Sequence, residues 1–332
     1  MVGLGNWATG LEAQEKATGA ASFTRLGSSA RAIAMGRAYT ALAGEDALAM
    51  FWNPAGINSE SEQARFAITD RAVGDRELGL GGLSSFISAG GAMPIGHKMA
   101  VGFGLMYYGV DGIEQYNERA VYRGDFSNSE MLLLATIARR EEPLVVGVSI
   151  KYISQSFKGL KDDVGVAGAS GIGLDVGLLA HFWKPVRIGF TLKNKTDLEN
   201  DRVPTSASVG IAYERYLSLG ALSPRLVMAL DVEQVKYRPI RFHLGLGLER
   251  LLDFNQFGFS LRFGRNNQFL EKRLGDNLES TFAADLEGED LAGANARWGI
   301  GMGIDRQNFM LDYTFSLGLL HDPHYISLSY AY

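Results

Sequence analysis

From about residue 64 onward the chain repeats a single pattern, in which a large apolar residue alternates with a small or polar one. Two segments show it most clearly. Ile240, Phe242, Leu244, Leu246 and Leu248 alternate with Arg241, His243, Gly245, Gly247 and Glu249. Phe309, Leu311, Tyr313, Phe315 and Leu317 alternate with Met310, Asp312, Thr314, Ser316 and Gly318. Period two marks a β-strand, whose successive side chains point to opposite faces. Bulk gathers on one face, and Gly, Ser and charge on the other. A soluble barrel keeps its bulk inside. The opposite arrangement suits a barrel whose outside meets lipid and whose inside is wet or filled.

The alternation predicts about fourteen strands. They lie near 64–73, 84–95, 98–109, 129–139, 143–156, 170–182, 184–194, 205–215, 224–236, 240–252, 256–264, 293–305, 307–318 and 323–332. Most are close to the ~9–11 residues that cross a bilayer at a tilt. The connections test the count independently. Even-numbered ones are mostly tight (Gly96-His97, Arg140–Glu142, Trp183–Pro185, Asp253–Asn255 and the turn near Arg306), with 216–223 longer. The long ones, 110–128, 157–169, 195–204 and 265–292, all fall at odd positions. Outer-membrane barrels have short periplasmic turns and longer external loops. The predicted fold is therefore all-β: a fourteen-stranded antiparallel transmembrane barrel in the bacterial outer membrane, with both termini periplasmic.

Composition sharpens this. Gly is 41 of 332 residues and Pro only 8, which fits many strands with a small inner face. The hydrophobic fraction is 46%, yet no run approaches the ~18 apolar residues of a membrane helix. Such a chain suits lipid only as a closed barrel, because lipid cannot satisfy a free sheet edge. A net charge of −5 without a basic block argues against nucleic acid as a partner. The absence of Cys excludes disulfides and thiolate chemistry. Residues 1–25 lack a charged start and an apolar core, so no signal peptide is expected among them.

Aromatics gather toward strand ends as interface girdles would: Tyr107, Tyr108, Tyr152, Trp183, Tyr213, Tyr216, Trp298 and Tyr325. In the last strand Ile326, Leu328, Tyr330 and Tyr332 share one face. That pattern resembles the signal read by the barrel assembly machinery, an expected partner alongside outer-membrane lipid.

Residues 1–60 break the pattern. Ser28–Ala43 is rich in Ala and predicts a helix. Asp46 is placed to cap a short second helix through Trp52, which Asn53-Pro54-Ala55-Gly56 then stops. So many small residues pack closely on another surface. We expect residues 1–60 to be a helical plug inside a barrel of residues 61–332; a separate periplasmic appendage is the alternative.

The segments Phe23–Gly27, Ala30-Arg31-Ala32, Ala34-Met35-Gly36, Ala38–Ala41, Asp46 and Trp52-Asn53-Pro54-Ala55-Gly56 resemble the amino-terminal signature of the PorV/PorQ family. That family is similar in turn to the FadL-type fatty-acid channels, which also carry an Asn-Pro-Ala-Gly element. Arg37, where a small residue is expected, and Glu45, in place of a frequent Asp, depart from the signature. The resemblance implies a fourteen-stranded barrel with its amino terminus folded inside. Arg31, Met35, Gly36, Trp52, Asn53, Pro54, Ala55 and Gly56 are its plug motif.

Little points to catalysis. Gly79-Leu80-Gly81-Gly82 and Gly299–Gly303 lack the Gly-Lys-Ser/Thr ending of a phosphate loop. His321 and His324 are close enough to suggest a metal site, although a solvated turn fits them better. Asp285, Glu287, Glu289 and Asp290 do not follow the spacing of a calcium loop. No cofactor is implied. Lys151, Asp175, Arg187, Lys193, Asp231, Glu233, Arg241, Glu249, Arg262, Asp305 and Asp312 are predicted to face inward, where charges must be paired or hydrated. They suit salt bridges that hold the plug, or a lining for a polar solute. Gly90, Gly91 and Pro94 could mark a bulge in the second strand and a lateral gate, or Pro94 merely starts the next turn.

Three non-enzymatic functions follow. The resemblance implies a docking component beside a larger translocon, receiving exported proteins as in type IX-like secretion. The alternatives are a FadL-like passive channel for hydrophobic small molecules, entered past Tyr107, Tyr108, Ile113 and Tyr116, and a structural surface barrel.

Overall fold

A computed structural model describes residues 21–44, 46–58, 63–72, 83–117, 119–159, 168–198, 201–220, 222–236, 240–254, 256–267, 297–317 and 323–332. The strands are β1 (Arg65–Ala72), β2 (Leu83–Ile95), β3 (Met99–Tyr116), β4 (Tyr122–Glu141) and β5 (Leu144–Lys158). Then come β6 (Ala169–Trp183), β7 (Val186–Leu198), a three-residue β8 (Asp201–Val203), β9 (Ser206–Tyr216) and β10 (Arg225–Val235). The last are β11 (Arg241–Phe254), β12 (Phe257–Asn267), β13 (Arg297–Arg306), β14 (Phe309–Leu317) and β15 (His324–Ala331).

Neighbours pair antiparallel in chain order. β1 pairs with β15, and β7 pairs with both β6 and β9, so the sheet closes on itself. β8 pairs with β7 and stands outside the ring. Fourteen strands therefore form the barrel, as the alternation predicts. Closure is what the composition demands, since it leaves no backbone edge facing lipid. Arg65 and Ala331 are register partners, so β1 begins and β15 ends at the end of the barrel that carries the tight turns.

Period two survives in three dimensions. Phe66, Ile68, Phe103, Leu105, Leu244, Leu246, Ile326 and Leu328 are exposed on the outside, while Thr69, Thr136, Ser149, Ser260, Thr314 and Ser327 are buried within. Strand ends differ more. The stretch predicted as loop 110–128 is mostly a continuation of β3 and β4, with a register shift between Val110 and Ile113 and Tyr116 packed edge-on to Tyr122 at 5.8 Å. Hairpin pairing carries on past the alternating part, so periodicity alone stops short of it.

The predicted helix over Ser28–Ala43 is shorter than its composition suggests. Only Ala30–Ala34 is α-helical (α1), capped by Ser29, whose side chain accepts from Ala32 N. Gly36 and Arg37 then take left-handed backbone (φ 61° and 70°) and end it. A Cβ on Gly36 would overlap the backbones of Leu244 and Arg265, so the chain turns where it meets the wall. A 3-10 turn at Ala47–Phe51 is capped by Asp46 as expected, and another follows at Pro54–Asn58.

Tyr108 and Tyr325 correct the girdle expectation. Tyr325 is buried, and its hydroxyl donates to Leu26 O at 3.0 Å; Tyr108 packs against the buried apolar cluster of β2–β5. Tyr107 and Tyr152 do face outward, and Tyr216 stands exposed at the tight-turn end. The Trp183 side chain lies outside the described part of the structure. Ile326 and Leu328 are exposed on β15, Tyr330 packs on Phe309 at 4.7 Å, and Tyr332 N donates to Ala64 O at 2.7 Å.

Candidate functional site

Residues 21–58 lie against the inner faces of strands all around the ring. Arg65 of β1 donates to Gly44 O at 2.5 Å and Ile57 O at 3.2 Å. Thr69 of β1 and Ser88 of β2 both donate to Ser28 O at 3.0 Å. On the opposite wall, Asp231 of β10 accepts from Tyr39 N at 2.9 Å and Thr40 N at 2.7 Å. Thr314 of β14 and Ser327 of β15 hold Ala30 by its carbonyl and its N–H. These bonds answer the polar backbone of a non-regular segment that is shielded from water.

The motif residues sit where inner-face glycines leave room. A Cβ on Gly177 would overlap Asn53 Oδ1, and one on Gly147 would overlap Pro54 and Ala55 N. Asn53 is fully buried and satisfied: Nδ2 donates to Thr40 O (2.8 Å) and Leu178 O (3.1 Å), and Oδ1 accepts from Ala55 N (3.0 Å). Gly56 abuts Ala43, and Met35 lies over Gly245. Arg37 reaches back to Arg25 O and Leu26 O at 2.6 and 3.2 Å, which accommodates a large residue at that position.

Charge follows the same logic. Arg31 meets Glu249 at 2.7 Å, and Glu249 also accepts from Arg262 at 3.1 Å and from Arg225. Arg262 continues to Asp312 at 2.5 Å. Lys151 pairs with Asp175 at 2.6 Å, and Lys193 donates to Phe51 O at 2.9 Å. Of the residues predicted to face inward, Lys151, Asp175, Arg187, Asp231, Glu249, Arg262 and Asp312 are buried; Lys193, Glu233, Arg241 and Asp305 are partly so. Asp46 is buried beside Ser29, with which it makes a short hydrogen bond, and accepts from Leu48 N at 2.9 Å. Burial pushes its carboxyl above the usual range, against the pull of these donors.

On the long-connection side of this segment lies a cavity of about 100 Å³ with two unlike walls. One is polar: Lys151, Asp175, Lys193, Asp231, Glu233 and His243. The other is apolar: Met106, Leu132 and Leu134 from the strands, facing Phe51 and Trp52. Met106, Leu132 and Leu134 belong to a buried cluster with Phe86 and Ile153. Period two does not predict this wall. Met131–Leu134 and Met106–Tyr108 are apolar at consecutive positions, and that break in alternation is its signal. Trp52 stacks edge-on to Tyr39 at 5.9 Å, and its buried Nε1 has no hydrogen-bond partner among the described residues. A second cavity, of about 340 Å³, opens at the tight-turn end around Arg31, Arg225 and Glu249.

Of the two readings of Gly90, Gly91 and Pro94, the pairing shows no bulge there. β2 keeps unbroken register with β3 from Leu83 to Ile95, and with β1 as far as Ala92. Register shifts fall instead in the β3–β4, β6–β7 and β11–β12 pairings. His324 lies on β15 with its ring nitrogen 2.6 Å from Tyr313 Oη. His321, the acidic cluster at 285–290, Glu45 and Gly79–Gly82 lie outside the described residues. Among the described residues no group of three His, Asp or Glu could hold a metal.

Among solved structures the chain is similar to the Pseudomonas putida toluene transporter TodX, at TM-score 0.55 and 14% identity over 90% of this chain and 97% of that one. The fold is that of the FadL-type outer-membrane channels. The CymD monoaromatic hydrocarbon channel matches at TM-score 0.55 and 13% identity, over 87% of this chain and 93% of that one. A Pseudomonas aeruginosa FadL homologue matches at TM-score 0.50 and 13% identity, over 90% and 97%. No family model and no curated protein matches.

Proposed function

We propose that this protein is a passive outer-membrane channel for small molecules with an apolar body, and that residues 21–58 plug its lumen. The carrying observation is the apolar wall of Phe86, Met106, Leu132, Leu134 and Ile153, turned inward against the amino-terminal segment. The wall packs on Phe23, Met50 and Ile57 of that segment, and when the segment shifts it offers an apolar surface in a lumen that is otherwise polar. The structural neighbours support the reading, since two are monoaromatic hydrocarbon channels by name. The polar wall and the Trp52 N–H would hold a polar end of the solute. At about 100 Å³ the cavity falls below the ~300–1,000 Å³ usual for ligand sites, so passage requires the segment to shift. The long connections face outward in this reading and both termini face the periplasm. No observation carries the docking role in secretion.

Two measurements test this. In planar bilayers the full chain should conduct poorly and a chain lacking residues 1–56 should conduct well; equal conductance means that the segment blocks nothing. Cells carrying the full chain should take up a labelled monoaromatic faster than control cells, with no gain for a labelled sugar. Equal gains for both would overturn the preference for apolar solutes.

A further inference from the structure

The outer wall carries one cation in an unusual setting. Arg265 of β12 is in register with Trp298 of β13 and Leu244 of β11, and the row continues through Leu230 to Ile211. Its guanidinium lies 4.8 Å from the centre of the Trp298 ring. Its Nε is buried without a hydrogen-bond partner among the described residues. Beside it runs an apolar groove of about 570 Å³ on β9–β13, floored by Tyr213, Met228, Leu246 and Phe263 in the next row.

The height of Arg265 on the wall is fixed by a second pair. Arg306 stacks on Phe257 at 4.8 Å at the tight-turn end of the same two strands. From Phe257 to Arg265 is eight residues, about 26 Å of strand at ~3.3 Å each. At the usual tilt of ~35–45° this is about 20 Å along the barrel axis, close to the height of the apolar band. Between the two pairs the outward residues of β12 are Phe259, Leu261 and Phe263. Arg265 and Trp298 thus mark the edge of that band on the long-connection side, where aromatics and snorkelling cations meet headgroups.

We infer that this groove is a binding site for a phosphate-bearing lipid, with an acyl chain along Leu230, Leu244 and Leu246 and the headgroup phosphate on Arg265. Guanidinium binds phosphate with two parallel hydrogen bonds, which would satisfy the buried Nε. Trp298 fixes the plane of the guanidinium. The assignment rests on the barrel spanning a bilayer and is independent of what passes through its lumen.

Native mass spectrometry of the purified full chain with equimolar phosphatidylglycerol and diacylglycerol tests it. Phosphatidylglycerol adducts should exceed diacylglycerol adducts several-fold. That excess should fall to near parity in Arg265→Gln and persist in Arg306→Gln. An undiminished excess in Arg265→Gln would overturn the site. So would displacement of the lipid by millimolar inorganic phosphate, since the groove would then contribute nothing. Failure of the unaltered chain to insert into liposomes would remove the membrane-spanning premise, whatever Arg265 does.

Discussion

Asn53 stands over Gly177 with no space between them for a methyl group. One residue belongs to the amino-terminal segment and the other to the inner face of β6, 124 positions later in the chain. The contact shows why Gly recurs on the inner face. Gly147, Gly189, Gly264 and Gly299 likewise meet the backbone of Ile33–Ala55 with no room for a side chain. Wall and segment are therefore built to fit each other.

Gly177→Ala should lower stability by about 1–3 kcal/mol, because a methyl group there strikes Asn53 and Pro54. Gly247→Ala supplies the comparison. It also lines the inner face, but its new methyl would find its nearest neighbour at 3.5 Å, in ordinary contact. Urea unfolding in detergent micelles should separate the two; equal midpoints would mean that the segment yields freely.

Asn53→Ala removes the Nδ2 donor to Thr40 O and Leu178 O and the Oδ1 acceptor of Ala55 N, and should cost about 1–3 kcal/mol. Asn53→Asp keeps an acceptor for Ala55 N but sets a carboxylate against those two carbonyls, so it should cost at least as much. The same unfolding assay decides this, and a stability unchanged in both variants would deny Asn53 its anchoring role.

The barrel was legible because each strand separates a lipid face from a lumen face, and that contrast prints period two along the whole wall. Where both faces are apolar, as at Met131–Leu134, the print fades and the inner wall of the cavity goes unseen. Ser28–Ala43 misled for a different reason. Its alanines read as helix formers, whereas here their small size serves close approach to the wall and Gly36 turns the chain after five helical residues. The Asn53 element was found by resemblance, but its glycine partners on β5 and β6 depend on register that no local pattern carries.

Glu249→Gln removes the charge that gathers Arg31, Arg225 and Arg262. Arg262 keeps Asp312 and Arg225 keeps Glu214, so the pair most affected is Arg31 with Glu249. Breaking a buried pair costs up to about 3–5 kcal/mol. The weakened hold of Glu249 on Arg31 should also loosen α1, and single-channel records should show brief openings absent from the unaltered chain. Quiet records at full stability would mean that the hydrogen bonds to Ala30 suffice.

Asp46→Asn tests the buried carboxyl. Its pKa is raised in the folded chain, so its contribution to stability is full below the unfolded value near 3.8 and is lost as pH rises through the folded value. An asparagine does not titrate and can still accept from Leu48 N. The variant should therefore gain on the unaltered chain as pH rises from about 4 to 7, read from unfolding midpoints at each pH. A difference that stays flat with pH would place the folded pKa at its ordinary value.

Leu134→Gln addresses the apolar wall itself. The two side chains are of similar size, so the wall keeps its shape while an amide enters the cavity. An apolar solute then passes a group that must shed water without gaining a partner, at a cost of about 1–3 kcal/mol on protein scales. Since 1.4 kcal/mol is about tenfold, monoaromatic uptake should fall about five-fold or more. Bilayer conductance should stay as low as in the unaltered chain, because the contacts of residues 21–58 with β1, β10 and β15 remain. Lys193→Gln works from the other side: losing the ammonium that holds Phe51 O should raise conductance while sparing the apolar wall. If both variants lower uptake and neither alters conductance, solute passage depends on the polar wall as much as on Leu134, and the apolar wall loses its special role.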